Sequence, residues 1–136
     1  MKNNTTIKIP VSAGELIDKI TILEIKVKFI EDPVRLFMVS SELNKLNREL
    51  GNILLKLPRV VNKLNTMKNE LYKVNLKLWR IEDKIRKFEA ERDFGKEFIA
   101  SARNVYKLND KRSAIKDKIN RLMGSDISEV KQYTKY

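Results

Sequence analysis

Cysteine and histidine are both absent from the 136 residues. Without thiols the chain can form no disulfide framework and has no thiol nucleophile. Without thiolates and imidazoles it lacks the usual ligands of a tetrahedral zinc site and the commonest general base. Carboxylates remain, and they could hold magnesium or calcium. No pair of them has a spacing diagnostic of a reaction, so we assign no catalytic residue, no metal ligand and no cofactor, and leave open whether the protein is an enzyme.

Turn-forming residues are scarce, with only 4 glycines and 3 prolines, whereas charged residues make up 35% of the chain and hydrophobic residues 42%. This composition suits long helices and a single hydrophobic core. The first residues lack the apolar run of a signal peptide, and no later segment is apolar enough to span a membrane. We therefore expect a cytoplasmic protein with no membrane partner.

Capping signals and prolines divide the chain into four helices. Ser12 and Glu15 have the spacing of a capping box, so the first helix starts there and runs to about Ile30. Asp32 and Pro33 begin a second helix, which Pro58 should end near Leu57. A turn at residues 93–95 separates the third helix, ending near residue 91, from the fourth, residues 96–123.

These helices predict an all-α fold, an antiparallel helical bundle with a long coiled-coil-like hairpin and four main helices. Residues 1–136 form one domain, with an extended lead-in over 1–11 and an irregular tail over 125–136. Heptad-like apolar seams run from Leu36 to Leu57 and from Val60 to Leu71. Because four thin helices would cover these seams only partly, we expect a homo-oligomer, most simply a dimer.

Basic residues exceed acidic ones by 29 to 18, which gives a formal net charge of +11. Such an excess favours anionic partners, but a soluble lysine-rich surface would have the same composition. One basic row on the third helix consists of Lys73, Lys77, Arg80, Lys84 and Lys87. It could follow a phosphate backbone, although its aromatic neighbours are too sparse for single-strand stacking, so nucleic acid is possible but not favoured.

A second polar row flanks the third-helix seam and contains Trp79, the only tryptophan. On the fourth helix Arg112 takes an apolar seam position, and a charge there must be paired. In an antiparallel hairpin about Asp93, Trp79 should lie near Tyr106, Glu82 near Arg103, and Asn75 near Arg112. The residues predicted to form a ligand-binding cluster are Glu15, Asp18, Lys19, Asn75, Trp79, Glu82, Arg86, Arg103, Tyr106, Asn109 and Arg112. The cluster is either a pocket for an anion or a buried network that fixes helix register.

Three segments carry a family resemblance: GELIDKITIL from Gly14, LWxIEDxIR from Leu78 and ARxVYxxNDxR from Ala102, followed by ExKxY from Glu129. Together they resemble an uncharacterised family of small bacterial and phage helical proteins. Bacterial members of that family resemble companions of glycosyltransferase and surface-polysaccharide proteins, which implies work on sugar nucleotides or glycans by association only. The resemblance also implies that the three polar motifs belong together.

Three functional hypotheses follow from the sequence. The first is a non-catalytic helical binding module that holds an anionic small ligand, of nucleotide or sugar-phosphate type, or a partner protein at the Trp/Glu/Arg cluster. The second is an enzyme or enzyme accessory in nucleotide-sugar or polysaccharide metabolism. The third is nucleic-acid binding through the basic face of the third helix.

Overall fold

The computed structural model describes residues 5–136 and contains no strand among them. Its four helices are α1 (Ala13–Phe29), α2 (Pro33–Leu55), α3 (Val61–Ala90) and α4 (Lys96–Met123). The predicted all-α helical bundle with four main helices is therefore confirmed. None of these helices is long and apolar enough to cross a membrane.

The helix ends form where the local sequence provides caps. The Ser12 hydroxyl accepts a hydrogen bond from the Glu15 backbone N–H at 3.1 Å, and the Asp32 carboxylate accepts one from Arg35 N–H at 2.9 Å. Each satisfies a backbone donor that the first helical turn leaves free. At the other end of the chain, Gly124 ends α4 with a φ of 65°, a conformation that glycine adopts without the steric cost of a Cβ.

The helix is interrupted between α2 and α3, as Pro58 predicts. Pro58 begins a short 3-10 turn, Pro58–Val60, and α3 starts at the next residue. Proline has no N–H to donate, and its ring clashes with the carbonyl four residues earlier. The apolar spacing that continues in phase through this region therefore belongs to two separate helices.

Helix α1 lies at the centre of the bundle and packs against each of the other three helices. Ile20 and Leu23, at helical spacing, lie on one apolar stripe of α1 and are buried. The structure buries Ile17 and Ile25 as well, both about as fully as Ile20. A helix with partners on three sides needs apolar residues on more than one face. The rest of the core comes mainly from Leu50, Leu64, Leu71, Leu78, Ile115 and Ile119.

Helices α3 and α4 form the predicted long hairpin. Close to the connection, the rings of Phe88 and Phe98 meet edge to face at 6.4 Å between centroids. The tail that follows α4 has no helix or strand and returns along it, where the Tyr136 hydroxyl donates to the Asp110 carboxylate. At the other terminus, residues 5–12 form no helix or strand, and residues 1–4 of the expected lead-in lie outside the described residues.

Helices α1 and α4 approach each other closely at Gly14. Its N–H donates to the Asn120 side-chain Oδ1 at 2.6 Å. A Cβ added at Gly14 would lie 2.5 Å from the Lys116 backbone carbonyl oxygen and 2.8 Å from Asn120 Oδ1. Because one of these neighbours is helix backbone, it cannot move aside without shifting α4.

We predict that Gly14→Ala lowers the free energy of unfolding by about 1–3 kcal/mol, the usual cost of an overpacked contact. Gly51→Ala is the matched control, since a Cβ there meets nothing within 4 Å. Its better helix propensity should raise stability by about 0.5–1 kcal/mol. Urea unfolding of both variants measures the difference, and equal stabilities would contradict the close approach of α1 and α4.

Candidate functional site

A buried carboxylate joins three helices. Asp18 on α1 is 1% exposed. Arg112 on α4 donates to it through two nitrogens, Nε to Oδ1 at 2.8 Å and Nη2 to Oδ2 at 2.5 Å. From α3, the Asn75 amide donates to Asp18 Oδ1 at 2.9 Å. This two-point contact with a guanidinium fixes both distance and orientation between the helices.

The groups around this ion pair satisfy one another. The Asn75 amide also donates to the Thr21 hydroxyl at 2.9 Å, and Thr21 in turn donates to the Asp18 backbone carbonyl at 2.7 Å. Arg112 Nη1 reaches Asn109 Oδ1 at 3.4 Å. Among the described residues, no fully buried side-chain nitrogen or oxygen lacks a hydrogen-bond partner. These side chains therefore form a closed hydrogen-bond network around Asp18, in which the donors and acceptors already have partners.

The charge state of Asp18 depends on these contacts. Burial raises its pKa, but the hydrogen bonds from Arg112 and Asn75, with the positive charges of Arg112 and Lys116, outweigh burial, so the pKa lies below its ordinary value of 3.8. The hydrogen bond to Asp18 raises the pKa of Arg112 above its ordinary value. Both groups are therefore charged at neutral pH, and Asp18 is unsuited to act as a general base near pH 7.

A second ion cluster lies one helical turn further along α4. The Lys116 side chain is 10% exposed, and its ammonium donates to Glu15 at 2.8 Å and to Glu129 of the tail at 3.2 Å. Burial lowers the pKa of Lys116, yet its hydrogen bonds and the nearby carboxylates outweigh burial and raise it. The hydrogen bond from Lys116 lowers the pKa of Glu129. This cluster attaches the tail to the bundle.

The remaining predicted cluster residues are dispersed. Lys19 is exposed and pairs with Glu42 of α2 at 2.8 Å. Trp79 stacks on Phe29 at 5.8 Å between ring centroids, whereas Tyr106 meets Tyr136 edge to face at 5.0 Å. Each ring thus has an aromatic partner different from the one expected. The other three predicted residues are exposed and form no ion pair with another described residue: Glu82, Arg86 and Arg103.

A groove of about 420 Å³ lies between α3 and α4, and four cationic side chains line it. We call it the basic groove. Half-buried Ile81 and Leu108 supply its apolar part. The other residues that line it are Lys77 and Arg80 of α3 with Asn104, Lys107 and Lys111 of α4.

No carboxylate lines the basic groove, and none of its four cations forms an ion pair with another described residue. Lys77 and Arg80 belong to the basic row predicted on the third helix, whereas Lys107 and Lys111 were not predicted to take part. The signal was present, since these two lysines are four residues apart and so share a face of α4. Lys116 was missed too, because a lysine between Ile115 and Asp117 gives no sign of burial.

Within residues 5–136, no three carboxylates are grouped so that they could hold a metal ion. Comparison with known proteins then adds one finding. A family model matches residues 7–136, which is nearly the whole chain. The chain belongs to the family of unknown function DUF6165. Neither the curated proteins nor the solved structures include a match to this DUF6165 chain.

For this DUF6165 protein we predict that Asp18→Asn lowers the free energy of unfolding at pH 7 by about 3 kcal/mol, because Arg112 loses its buried counter-charge. A carboxylate whose folded pKa is depressed contributes stability above its unfolded pKa and loses it as the pH falls through the folded value. The difference between wild type and variant should therefore shrink below about pH 4.

Urea unfolding between neutral and acidic pH measures this difference. Asp83→Asn is the control, since Asp83 pairs with Lys87 on the surface at 3.2 Å. Removing an exposed pair of this kind changes stability by about 0.5 kcal/mol at most. A pH-independent gap between wild type and Asp18→Asn would contradict the charged state of Asp18.

Proposed function

We propose that this protein is a non-catalytic helical binding module for a small anionic ligand of the nucleotide or sugar-phosphate type, held in the basic groove. One observation carries the proposal. Four cationic side chains from two helices line one concavity that contains no carboxylate, and none of the four has a counter-charge among the described residues.

The four cations of the basic groove face one another without counter-charges among the described residues. Lys77 and Arg80 lie one turn apart on α3, opposite Lys107 and Lys111 on α4. Like charges that approach within the Debye length, about 8 Å at physiological ionic strength, repel one another with little screening. An anion placed between the two walls relieves that repulsion and contacts both. An arginine in the set adds two-point recognition of a phosphate.

The apolar part of the groove narrows the ligand class. Ile81 and Leu108 are half-buried between the two cationic walls. A free inorganic anion would leave this surface unused, whereas an anion that carries a ring or another weakly polar body would cover it. The Asn104 amide can both donate and accept, which suits a base or a sugar hydroxyl. These features support an organic phosphate.

The proposed site differs from the Trp/Glu/Arg cluster but depends on part of it. Arg112 is engaged by Asp18 and Asn109, so it is poorly placed to hold an external anion. It is, however, adjacent in sequence to Lys111, and Asn75 lies two residues before Lys77. By holding Asn75 and Arg112 on one carboxylate, Asp18 supports the register that sets the two cationic walls opposite each other.

Nucleic-acid binding is the second candidate, and the basic row on α3 is the observation that favours it. The row is interrupted, however, at its C-terminal end. Lys87 pairs with Asp83 at 3.2 Å, and the Lys84 ammonium lies over the Phe88 ring at 5.7 Å. A short run of unpaired cations fits a small ligand better than a long phosphate backbone, which requires many successive contacts.

Self-association belongs to the same proposal. The predicted seams are largely half-buried within one chain, but Val34, Phe37 and Met38 form an exposed apolar strip on the first turns of α2. A second copy could cover this strip. Sedimentation as a monomer at micromolar concentration would contradict the dimer. It would not affect the proposal for the basic groove, which lies within one chain.

We predict that the double variant Lys107→Gln, Lys111→Gln weakens binding of ATP by at least about tenfold, or ~1.4 kcal/mol, because it removes one cationic wall. The control is Lys45→Gln, Arg48→Gln, which removes the same charge from two exposed residues on α2. Isothermal titration calorimetry with ATP, tripolyphosphate and adenosine measures the contribution of each part of the ligand.

The expected order of affinity is ATP, then tripolyphosphate, then adenosine. Equal weakening of ATP binding in the groove and control variants would show that net charge alone causes the effect. That result would contradict a specific site in the basic groove. Affinity for single-stranded oligonucleotides that rises with length and falls steeply with salt would favour the second candidate instead.

A further inference from the structure

A second cavity, of about 330 Å³, lies where the start of α1, the middle of α4 and the tail meet. We call it the tail cavity. Its buried part is formed by Ser12, Lys116 and Asn120, each less than a tenth exposed. Deeply buried polar side chains are uncommon in proteins, and three of them line this one cavity.

Asn120 has an unused donor at this cavity. Its Oδ1 accepts the Gly14 N–H at 2.6 Å, while its Nδ2 group has no acceptor among the described residues. This nitrogen is not sealed in the core, because every fully enclosed polar side-chain atom in residues 5–136 has a partner. Asn120 is otherwise buried and lines the tail cavity, so this cavity is the space that is open to Nδ2.

The other buried groups have hydrogen-bonding capacity left over as well. The Lys116 ammonium carries three N–H groups, and two carboxylates, Glu15 and Glu129, are its partners. The Ser12 hydroxyl oxygen accepts the Glu15 N–H, and its own proton has no acceptor among the described residues. The inner surface of the tail cavity thus presents donors.

Acceptors lie further out. Asp110, Asp117 and Glu129 bring three carboxylates to the lining, against the two cations Lys116 and Lys131. Asp117 forms no ion pair with a described residue. The ring of Tyr133 is also part of the lining and is 60% exposed. The Lys131 ammonium lies over one face of the ring, 5.7 Å from its centre, and the exposed remainder of the ring is open to a ligand at the mouth.

This combination excludes several ligand classes. A phosphate or other strong anion would meet three carboxylates, which disfavour it by like-charge repulsion. A metal ion lacks a ligand set here, because the three acids are not grouped to hold one. A hydroxyl group both donates and accepts, so a ring bearing several hydroxyls can meet inner donors and outer acceptors together. The apolar face of such a ring can lie on an exposed tyrosine.

We propose that the tail cavity binds a single neutral saccharide unit, with the Asn120 amide and Lys116 inside, Asp117 as an outer acceptor and Tyr133 against the ring face. The volume is at the low end for small-molecule sites, which run from about 300 to 1,000 Å³, so it suits one sugar ring. This site is separate from the basic groove and does not depend on it.

The test is a nuclear magnetic resonance titration of the full chain, following the Asn120 side-chain amide and the Tyr133 ring. The probes are the methyl glycosides of glucose, galactose, mannose and N-acetylglucosamine, at millimolar concentrations. Tripolyphosphate and methylammonium are titrated separately and represent an anionic and a cationic ligand. Saturable shifts of both groups with at least one glycoside, and none with the two ions, are the expected result.

Variants locate the site without disturbing the core. Asp117→Asn and Tyr133→Ala should each weaken glycoside binding by about tenfold, the effect of losing one well-placed contact. Asp126→Asn removes an equally charged, exposed tail residue outside the cavity and should leave affinity unchanged.

Three results would overturn the proposal: no saturable response to any glycoside, a response at Asn120 to tripolyphosphate or methylammonium in place of the sugars, or equal weakening by Asp126→Asn. The Lys107→Gln, Lys111→Gln variant should bind glycosides normally. A failure of the proposal for the basic groove could therefore be distinguished from a failure of the proposal for the tail cavity.

Discussion

The ion pair between Asp18 and Arg112 is the interaction on which the rest of this protein depends. A carboxylate that is 1% exposed cannot remain charged in a helical core without a strong partner. Arg112 provides two donors and Asn75 a third, from two different helices. Because loss of one partner would leave an uncompensated buried charge, the network disfavours any sliding of α3 or α4 relative to α1.

Helix α4 contacts α1 at three successive turns. Arg112 meets Asp18, Lys116 meets Glu15, and Asn120 accepts the backbone N–H of Gly14. Residues four apart share a helix face, so these side chains form one row along α4. Lys116 and Asn120 of this row also line the tail cavity, whereas Lys107 and Lys111 of the basic groove lie on a neighbouring face of the same helix. A change in the register of α4 would therefore alter both.

Much of the fold could be predicted from the sequence because its signals are local. Ser12, Asp32 and Pro33 mark helix starts, Pro58 marks a break, and each acts through its own backbone neighbours. The central position of α1 was not predictable in the same way. Burial of Ile17 and Ile25 depends on how many helices surround α1, and that number is a property of the assembled bundle.

The candidate sites were less predictable still. Placing Asn75 near Arg112 followed from hairpin geometry, and both bind Asp18. Trp79 stacks on Phe29 instead of Tyr106, because the end of α1 packs against α3 at this position. The basic groove combines residues from two helices, neither of which is exceptional alone. The tail cavity needs a tail whose path the sequence does not specify.

A double-mutant cycle on Asp18 and Arg112 tests most directly whether their ion pair holds the bundle in register. The free energy of unfolding of wild type, Asp18→Asn, Arg112→Gln and the double variant would be measured by urea denaturation. Each single change should cost about 3 kcal/mol, since it leaves a buried group without its partner. The double variant should lose less than the sum of the two, by about 1–3 kcal/mol. Strictly additive losses would contradict the account, because they would mean that the two side chains contribute to stability independently.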